Sequence, residues 1–387
     1  MLRILALTFT IAMMASLSVQ SGGFAQNASK VAAGACWQTN YVDSSVAGVV
    51  SDGRAVYVSR LGGRIHALSA ATGEVIWTAE LGGGPVSQPL PTKQGLVVVT
   101  SRSANDGTEG SGDLRMLSVL TGVTLWSAEL AAVPAAALYS VGDKLIYMTG
   151  PGKVECFEAA NGKKIWSADL KKEVGTSILL DEDRLLAGTS DGRLVLLSLA
   201  DGRVLDQMSV GLAPTALANF PDGPVAVGDA AGRIFAVELN DSEVKWNLRN
   251  GGRVSAFATS GERAIATSFD NFVYALTSSG NIRWKRRLSG RLTGKPVVGE
   301  TAVLVAAANE GTVYAIDSKN GKVLDRIKIY EEGSDSKISI GRVSGDRFVI
   351  ANSDSVRSYG VGTCSVNGKK AAVIPAAFNQ NLLAPRA

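Results

Sequence analysis

The stretch Gly232-Arg233-Ile234-Phe235-Ala236-Val237-Glu238-Leu239, followed after a short polar turn by Glu243-Val244-Lys245-Trp246, decides the fold, because copies of it recur along most of the chain. Each copy opens on a small residue suited to a tight turn, and apolar side chains then fill strand faces. The copies begin at Gly63, Gly112, Gly152, Gly192, Gly232, Asn271 and Gly311, at successive spacings of 49, 40, 40, 40, 39 and 40 residues, with a weaker eighth at Ser355. An apolar strand precedes each copy, as in Ala55-Val56-Tyr57-Val58 and Val303-Leu304-Val305-Ala306. A turn and a strand ending in Trp follow most copies: Trp77, Trp126, Trp166, Trp246 and Trp284, with Asp206 and Asp325 standing where Trp is missing.

A period of about 40 residues with roughly four strands per unit is that of a propeller blade, and the segments lack the 3.6-residue period of a helical solenoid. The expected fold class is therefore all-β: an eight-bladed β-propeller of four-stranded blades, closed by the N-terminal strand and spanning residues 36–364. A single blade cannot bury both of its faces, so blades must stack. The Trp set, with Trp37 as the isolated sixth member, is expected to wedge between neighbouring blades, each indole N–H reaching a backbone acceptor.

Closure follows from the ends of the chain. Ala35-Cys36-Trp37-Gln38-Thr39 resembles the last strand of a repeat with no repeat before it, and it fits as the outermost strand of the eighth blade. Cys364 follows the inner strands of that blade, so Cys36 and Cys364 are read as a structural disulfide joining the two ends; two unpaired thiols are the other reading. Cys156 falls inside a strand and is expected to be a buried free thiol. Ser103 to Ser111 is a polar insertion in the second blade, read as a protruding loop that is either functional or merely tolerated.

The termini lie outside the repeats. Arg3 is the only charge before Lys30, Ile4 to Ala15 is apolar, and Gly23 and Ala25 are small, so residues 1–25 read as an export signal cleaved after Ala25. The apolar segment is too short to span a membrane. Residues 26–35 are expected to be a flexible leader and residues 365–387 a flexible C-terminal tail. The 39 basic and 35 acidic residues are interspersed and give a net charge of only +4, which argues against a nucleic-acid partner. The densest basic run, from Arg283 to Arg291, is expected to be a solvated strand edge or loop.

Catalytic chemistry has little material. His66 is the single histidine and alternates within a strand, which favours a surface or inter-blade role over catalysis. No phosphate-cradling Walker loop, nucleophile elbow or haem-attaching cysteine pair appears, and most Asp residues sit beside Gly in turns. No catalytic, metal or cofactor-binding residue is assigned, and no cofactor is expected.

The segments Ala67-Leu68-Ser69-Ala70-Ala71-Thr72-Gly73-Glu74-Val75-Ile76-Trp77 and Phe157-Glu158-Ala159-Ala160-Asn161-Gly162-Lys163-Lys164-Ile165-Trp166 resemble the tryptophan-docking repeat of the pyrroloquinoline-quinone (PQQ)-like propellers. The quinone enzymes with this repeat are longer and carry a vicinal cysteine pair, whereas the three cysteines here are far apart. In size and layout the chain is similar to the BamB scaffold family of the outer-membrane β-barrel assembly machine. That resemblance implies a periplasmic, monomeric, non-catalytic protein-binding scaffold, peripheral to the outer membrane. Its implied partner is the POTRA-containing barrel-assembly subunit.

By position, the implied partner-binding segments are the inter-blade loop Met208-Ser209-Val210-Gly211-Leu212 and the turn at Asp229. Cys36 follows Ala33-Gly34-Ala35 well beyond the signal core, as in a non-lipidated variant, and Ser209-Val210 stands near where family members place Leu-Arg. Two other readings stay open: a propeller that binds a small ligand or quinone in its channel, as a sensor or dehydrogenase relative, and a surface adhesion or structural propeller.

Overall fold

The Gly232 repeat folds as two strands, Arg233–Glu238 and Glu243–Arg249, paired antiparallel through Ile234↔Leu248 and Ala236↔Trp246. They belong to one of eight sheets in a computed structural model that describes residues 33–40, 46–82, 84, 88–102, 110–130, 135–221, 223–292, 294–330, 337–361 and 372–373. Seven sheets are four-stranded antiparallel meanders of consecutive strands. Blade 1 consists of Val46–Ser51, Ala55–Arg60, Arg64–Ser69 and Val75–Glu80. Blades 2 and 3 begin with Leu90–Pro91 and Ala135–Val141 and end with Thr124–Leu130 and Lys164–Asp169. Blade 4 runs from Val174–Leu179 to Val204–Ser209, and blade 5 from Pro214–Asn219 to Glu243–Arg249. Blade 6 runs from Val254–Ser260 to Ile282–Arg287, and blade 7 from Val297–Val298 to Val323–Lys328. First strands of successive blades neighbour one another around the axis.

Burial explains the sequence pattern. Second and third strands such as Ala302–Ala307 and Phe272–Thr277 are covered on both faces by adjacent blades, so they are mostly apolar. Fourth strands lie on the rim and are mostly exposed; in Val75–Glu80 the one buried residue is Trp77, which faces the next blade. Among the described residues the only helical element is the 3₁₀ turn Ala308–Glu310, and no helix is long and apolar enough to cross a membrane.

The six tryptophans share one geometry. Each donates its indole N–H to a carbonyl in the turn between the third and fourth strands of the next blade: Trp37 to Ala70 (3.0 Å), Trp77 to Val119 (2.8 Å), Trp126 to Ala159 (2.9 Å), Trp166 to Leu199 (3.3 Å), Trp246 to Ser278 (2.6 Å) and Trp284 to Ser318 (3.0 Å). The ring lies flat on a glycine of that turn. A Cβ on Gly122 would sit 2.5 Å from the Trp77 ring, and Gly73, Gly162, Gly202, Gly280 and Gly321 stand in the same relation to the other rings. All six glycines have positive φ, so the position demands glycine twice over, for backbone and for space.

The two seams without the wedge also lack its receptor. Asp206 on blade 4 faces a turn in blade 5 where Ser242, at φ 52°, replaces the glycine. Asp325 on blade 7 faces blade 8, whose third and fourth strands come from opposite ends of the chain and share no turn. Other contacts serve there. Blades 4 and 5 share an apolar cluster of Leu186, Leu194, Leu217, Val227 and Phe235. Between blades 7 and 8, the Asp346 carboxylate accepts the backbone N–H groups of Thr301 (2.9 Å) and Ala302 (3.1 Å).

The ring closes as the orphan strand predicts. Ala33–Asn40 pairs antiparallel with Ser355–Val361 of blade 8, whose first strands are Ser339–Ser344 and Arg347–Ala351. Trp37 then docks on blade 1, and the Thr39 hydroxyl donates to Gly73 O at 2.8 Å. Two details differ from the expected boundaries. The closing strand starts at Ala33, inside the expected leader, because its backbone pairs as far as Val361. Ala372–Val373 of the expected tail pairs in parallel with Thr39 and Asn40, giving this blade a fifth strand. Cys36 is the extra residue at a register shift between Ala35 and Trp37.

Cys364, the export signal (residues 1–25), residues 103–109 of the insertion and residues 374–387 lie outside the described residues. Cys156 is a buried free thiol, and burial pushes its pKa up to about 11. His66 is buried, with Nδ1 2.9 Å from the Thr78 hydroxyl of the neighbouring strand.

The wedge makes a paired prediction. Gly122→Ala should destabilise the protein by about 2 kcal/mol or more, since the new methyl must displace the Trp77 ring and the backbone sits at positive φ. Ser242→Gly, at the equivalent turn with no indole above it, should change stability by less than about 0.5 kcal/mol. Denaturant unfolding of the two variants checks the contrast.

Candidate functional site

Strands alternate in direction, so turns between second and third strands emerge at the same end of each blade as the loops between blades. The segments Met208–Leu212 and Asp229–Gly232 therefore share one face, and a single side chain ties them together. The Asp229 carboxylate is buried and accepts hydrogen bonds from the backbone N–H of Ala231 (2.9 Å) and Arg233 (2.9 Å) and from Arg233 Nε (3.1 Å). Arg233 Nη2 in turn donates to Val210 O, and the guanidinium stacks on the Phe235 ring at 4.1 Å. The Val210 N–H donates to Gly192 O at 2.8 Å.

This arrangement sorts the segment by role. Asp229 and Val210 are buried, so they fix the loop and offer a partner no side-chain surface. Met208 is half-buried against the apolar cluster shared by blades 4 and 5. Ser209, Gly211 and Leu212 face solvent, with Leu212 51% exposed. Arg233, which the sequence did not mark as a partner-binding residue, holds the two segments in register. Its signal lay in the copy itself, where Asp229 and Arg233 flank the turn.

Two further apolar side chains stand on this face. Leu61, in the blade 1 turn, is 58% exposed, and Phe269, in the blade 6 turn, is 39% exposed. Phe269 lies between the guanidinium groups of Arg253 (5.9 Å) and Arg291 (5.5 Å), one from each adjacent inter-blade loop. Exposed aliphatic and aromatic groups on rigid loops are the usual anchors of a protein interface. The repeat carries no signal for Phe269, because its two arginine neighbours come from loops on either side of the blade.

The insertion in blade 2 opens on the same face, and its base is clamped. Arg102 N–H donates to Ser111 O at 2.8 Å, while the Arg102 guanidinium pairs with Asp113 and with Glu129 (2.7 Å). Arg115 reaches the same Asp113 carboxylate at 3.0 Å. Burial of Asp113 pulls its pKa upward, but the hydrogen bonds and charges of Arg102 and Arg115 outweigh this and hold it below its ordinary 3.8.

First strands enclose an axial channel of about 770 Å³. Tyr139, Ser177 and Phe257 line it together with the cations Lys295, Lys337 and Arg342. The Tyr139 hydroxyl donates to Ser177 O at 2.7 Å. Among the described residues no group of three His, Cys, Asp or Glu side chains is placed to hold a metal ion.

The family model described as outer membrane protein assembly factor BamB matches residues 29–141, 110–254 and 248–328. Solved structures with the same fold include BamB from Moraxella catarrhalis, at 17% identity and TM-score 0.66 over 85% of this chain and 99% of that one. The computationally designed protein Ika8 matches at 17% identity and TM-score 0.72 over 85% and 100%. Sqt1 from Saccharomyces cerevisiae matches at 12% identity and TM-score 0.68 over 84% and 98%. No curated protein sequence matches the chain.

The Asp113 clamp carries a pH signature. A carboxyl whose folded pKa is depressed contributes stability that is present above its unfolded pKa and is lost as pH falls through the folded one. Asp113→Asn should therefore cost about 1–2 kcal/mol at pH 7, and its deficit relative to wild type should shrink as pH falls below the ordinary carboxyl value of 3.8. Thermal unfolding of both proteins between neutral and acid pH measures this.

Proposed function

Because the chain belongs to the family of the outer membrane protein assembly factor BamB, we propose that it is a non-catalytic, exported scaffold of the periplasm that binds a POTRA-containing barrel-assembly subunit at the periphery of the outer membrane. The observation that carries this reading is the loop face on which Leu212, Leu61 and Phe269 are exposed. The loops behind them are fixed by backbone hydrogen bonds and by the Asp229–Arg233–Val210 link. A rigid scaffold with a few exposed anchors loses little conformational entropy on binding, which suits a recognition surface. Arg233 acts here as a positioning residue, since it holds the Leu212 loop against the blade 5 turn.

Export gives the cysteines a role. In an oxidising compartment Cys36 and Cys364 would join the two ends of the chain at the blade where they meet, and closing so long a loop restricts the unfolded chain. Unreduced mature protein, denatured and alkylated, should take one label, at Cys156, and its N-terminus should be Gln26. Three labels would refute the bridge.

A ligand in the axial channel is the second reading, favoured by the Lys295, Lys337 and Arg342 side chains that line it. Site-specific photo-crosslinking in intact envelopes separates the two. A crosslinker at position 212 should capture the POTRA-containing subunit, and one at Ile76, exposed on the outer rim of blade 1, should not. Arg233→Ala should reduce the position-212 adduct while leaving the protein folded. Equal capture from both positions, or none from position 212, overturns the scaffold reading.

A further inference from the structure

The basic run beginning at Arg283 lies on the solvated rim strand of blade 6, as expected, with Arg283, Lys285, Arg286 and Arg287 exposed. In the rim strand of every blade, the side chain two residues beyond the wedge position points into the seam with the next blade. That residue is Ala79, Ala128, Ala168, Met208, Leu248 or Ile327 in blades 1–5 and 7, and Thr39 in blade 8. In blade 6 it is Arg286. A guanidinium therefore occupies a register position that is small or apolar in blades 1–5 and 7, and the seam between blades 6 and 7 opens into a groove of about 620 Å³.

Four cations line that groove: Arg286 and Arg287 from blade 6, and Lys322 and Arg326 from blade 7. Ser289 and Tyr314 supply hydroxyls, and no carboxylate is among the described lining residues. None of the four cations forms an ion pair with a described carboxylate. Two acids lie beside the groove. Glu310 accepts the Tyr314 hydroxyl at 2.9 Å, and Asp325 accepts the backbone N–H of Arg326 at 2.8 Å.

Two of the cations are also held in place. Arg286 Nε donates to Gly321 O at 2.7 Å, which anchors the guanidinium through one donor and leaves its four terminal N–H donors. Arg326 lies 5.6 Å from the Tyr314 ring centroid, and the Tyr314 hydroxyl sits 2.7 Å from Ser289 Oγ. The guanidinium forks of Arg286 and Arg326, with a flanking Lys and Arg, match the charge and the several acceptor oxygens of a phosphate group better than those of a single carboxylate. Gathering four like charges also carries a repulsion that a multivalent anion relieves.

We infer that the seam between blades 6 and 7 is a binding site for a phosphate-bearing anion, gripped by Arg286 and Arg326 with Arg287 and Lys322 at its sides. The same phosphate chemistry can come from a free anion or from a lipid headgroup.

Calorimetric titration of the full mature protein with inorganic pyrophosphate, and co-sedimentation with phosphatidylglycerol or phosphatidylcholine vesicles, test this at low and at physiological salt. Arg286→Leu copies the apolar residue that blade 5 carries at the same register, so it should fold normally, and Arg326→Gln keeps a polar side chain of similar reach. Each should weaken binding about tenfold or more, whereas Arg283→Ala, a cation on the same strand outside the groove, should change it less than about twofold. Pyrophosphate binding that both groove variants lose identifies a free anion. Binding to phosphatidylglycerol vesicles alone, lost in the same variants, identifies a headgroup. Absence of both, or losses no greater than that of Arg283→Ala, overturns the site.

Discussion

The indole wedge is the constraint on which this molecule depends. A blade is a small sheet with two apolar faces, and it becomes stable only when each face meets a neighbour. The tryptophan makes that contact directional. Its ring lies on a glycine and its N–H is spent on a named carbonyl, so each blade that carries a wedge locates the next one in rotation and in height. Burying the ring also removes a large apolar surface from water while satisfying its one polar atom. Wedge and receptor occur together or not at all, as the Asp206–Ser242 seam illustrates, because a side chain above the turn and the glycine beneath it are two halves of one contact.

Closure uses the same contact with a different source of chain. The last strand of blade 8 comes from the N-terminus, and it brings Trp37 to blade 1 in the geometry the other five wedges use. Both ends of the chain are thereby committed to one sheet. The parallel pairing of Ala372–Val373 covers part of the outer edge of that strand, an edge that would otherwise present unpaired backbone groups.

Function concentrates where the repeat is interrupted. Regular positions are consumed by packing, and the rim and loop positions that depart from the pattern carry the unusual chemistry. The Leu212 loop leaves the blade 4 strand that carries Asp206 in place of the wedge, Phe269 stands between two arginines, and Arg286 replaces an apolar residue in a seam. The proposed anion groove borders the blade 6 turn that carries Phe269, since Asn271 and Ser289 line it, so the two proposed sites meet at blade 6.

The sequence by itself determined the blade count, the strand order, the docking tryptophans and the closing strand, because all of these follow from a repeated spacing whose physical cause is local: strand period, turn glycine and wedge position. Asp229 illustrates the limit of such reading. Its place beside a turn was legible, yet only the tertiary structure decided that it is buried and acts through Arg233 on Val210, since those residues meet across two blades. The basic run after Trp284 is the same case. Its charge was visible in the sequence, but Lys322 and Arg326 come from the next blade, and only the seam sets them opposite Arg286. Packing along a strand is written in the residues of that strand. Chemistry across a seam depends on which residues of two repeats the wedge brings face to face, and that is fixed only when the ring forms.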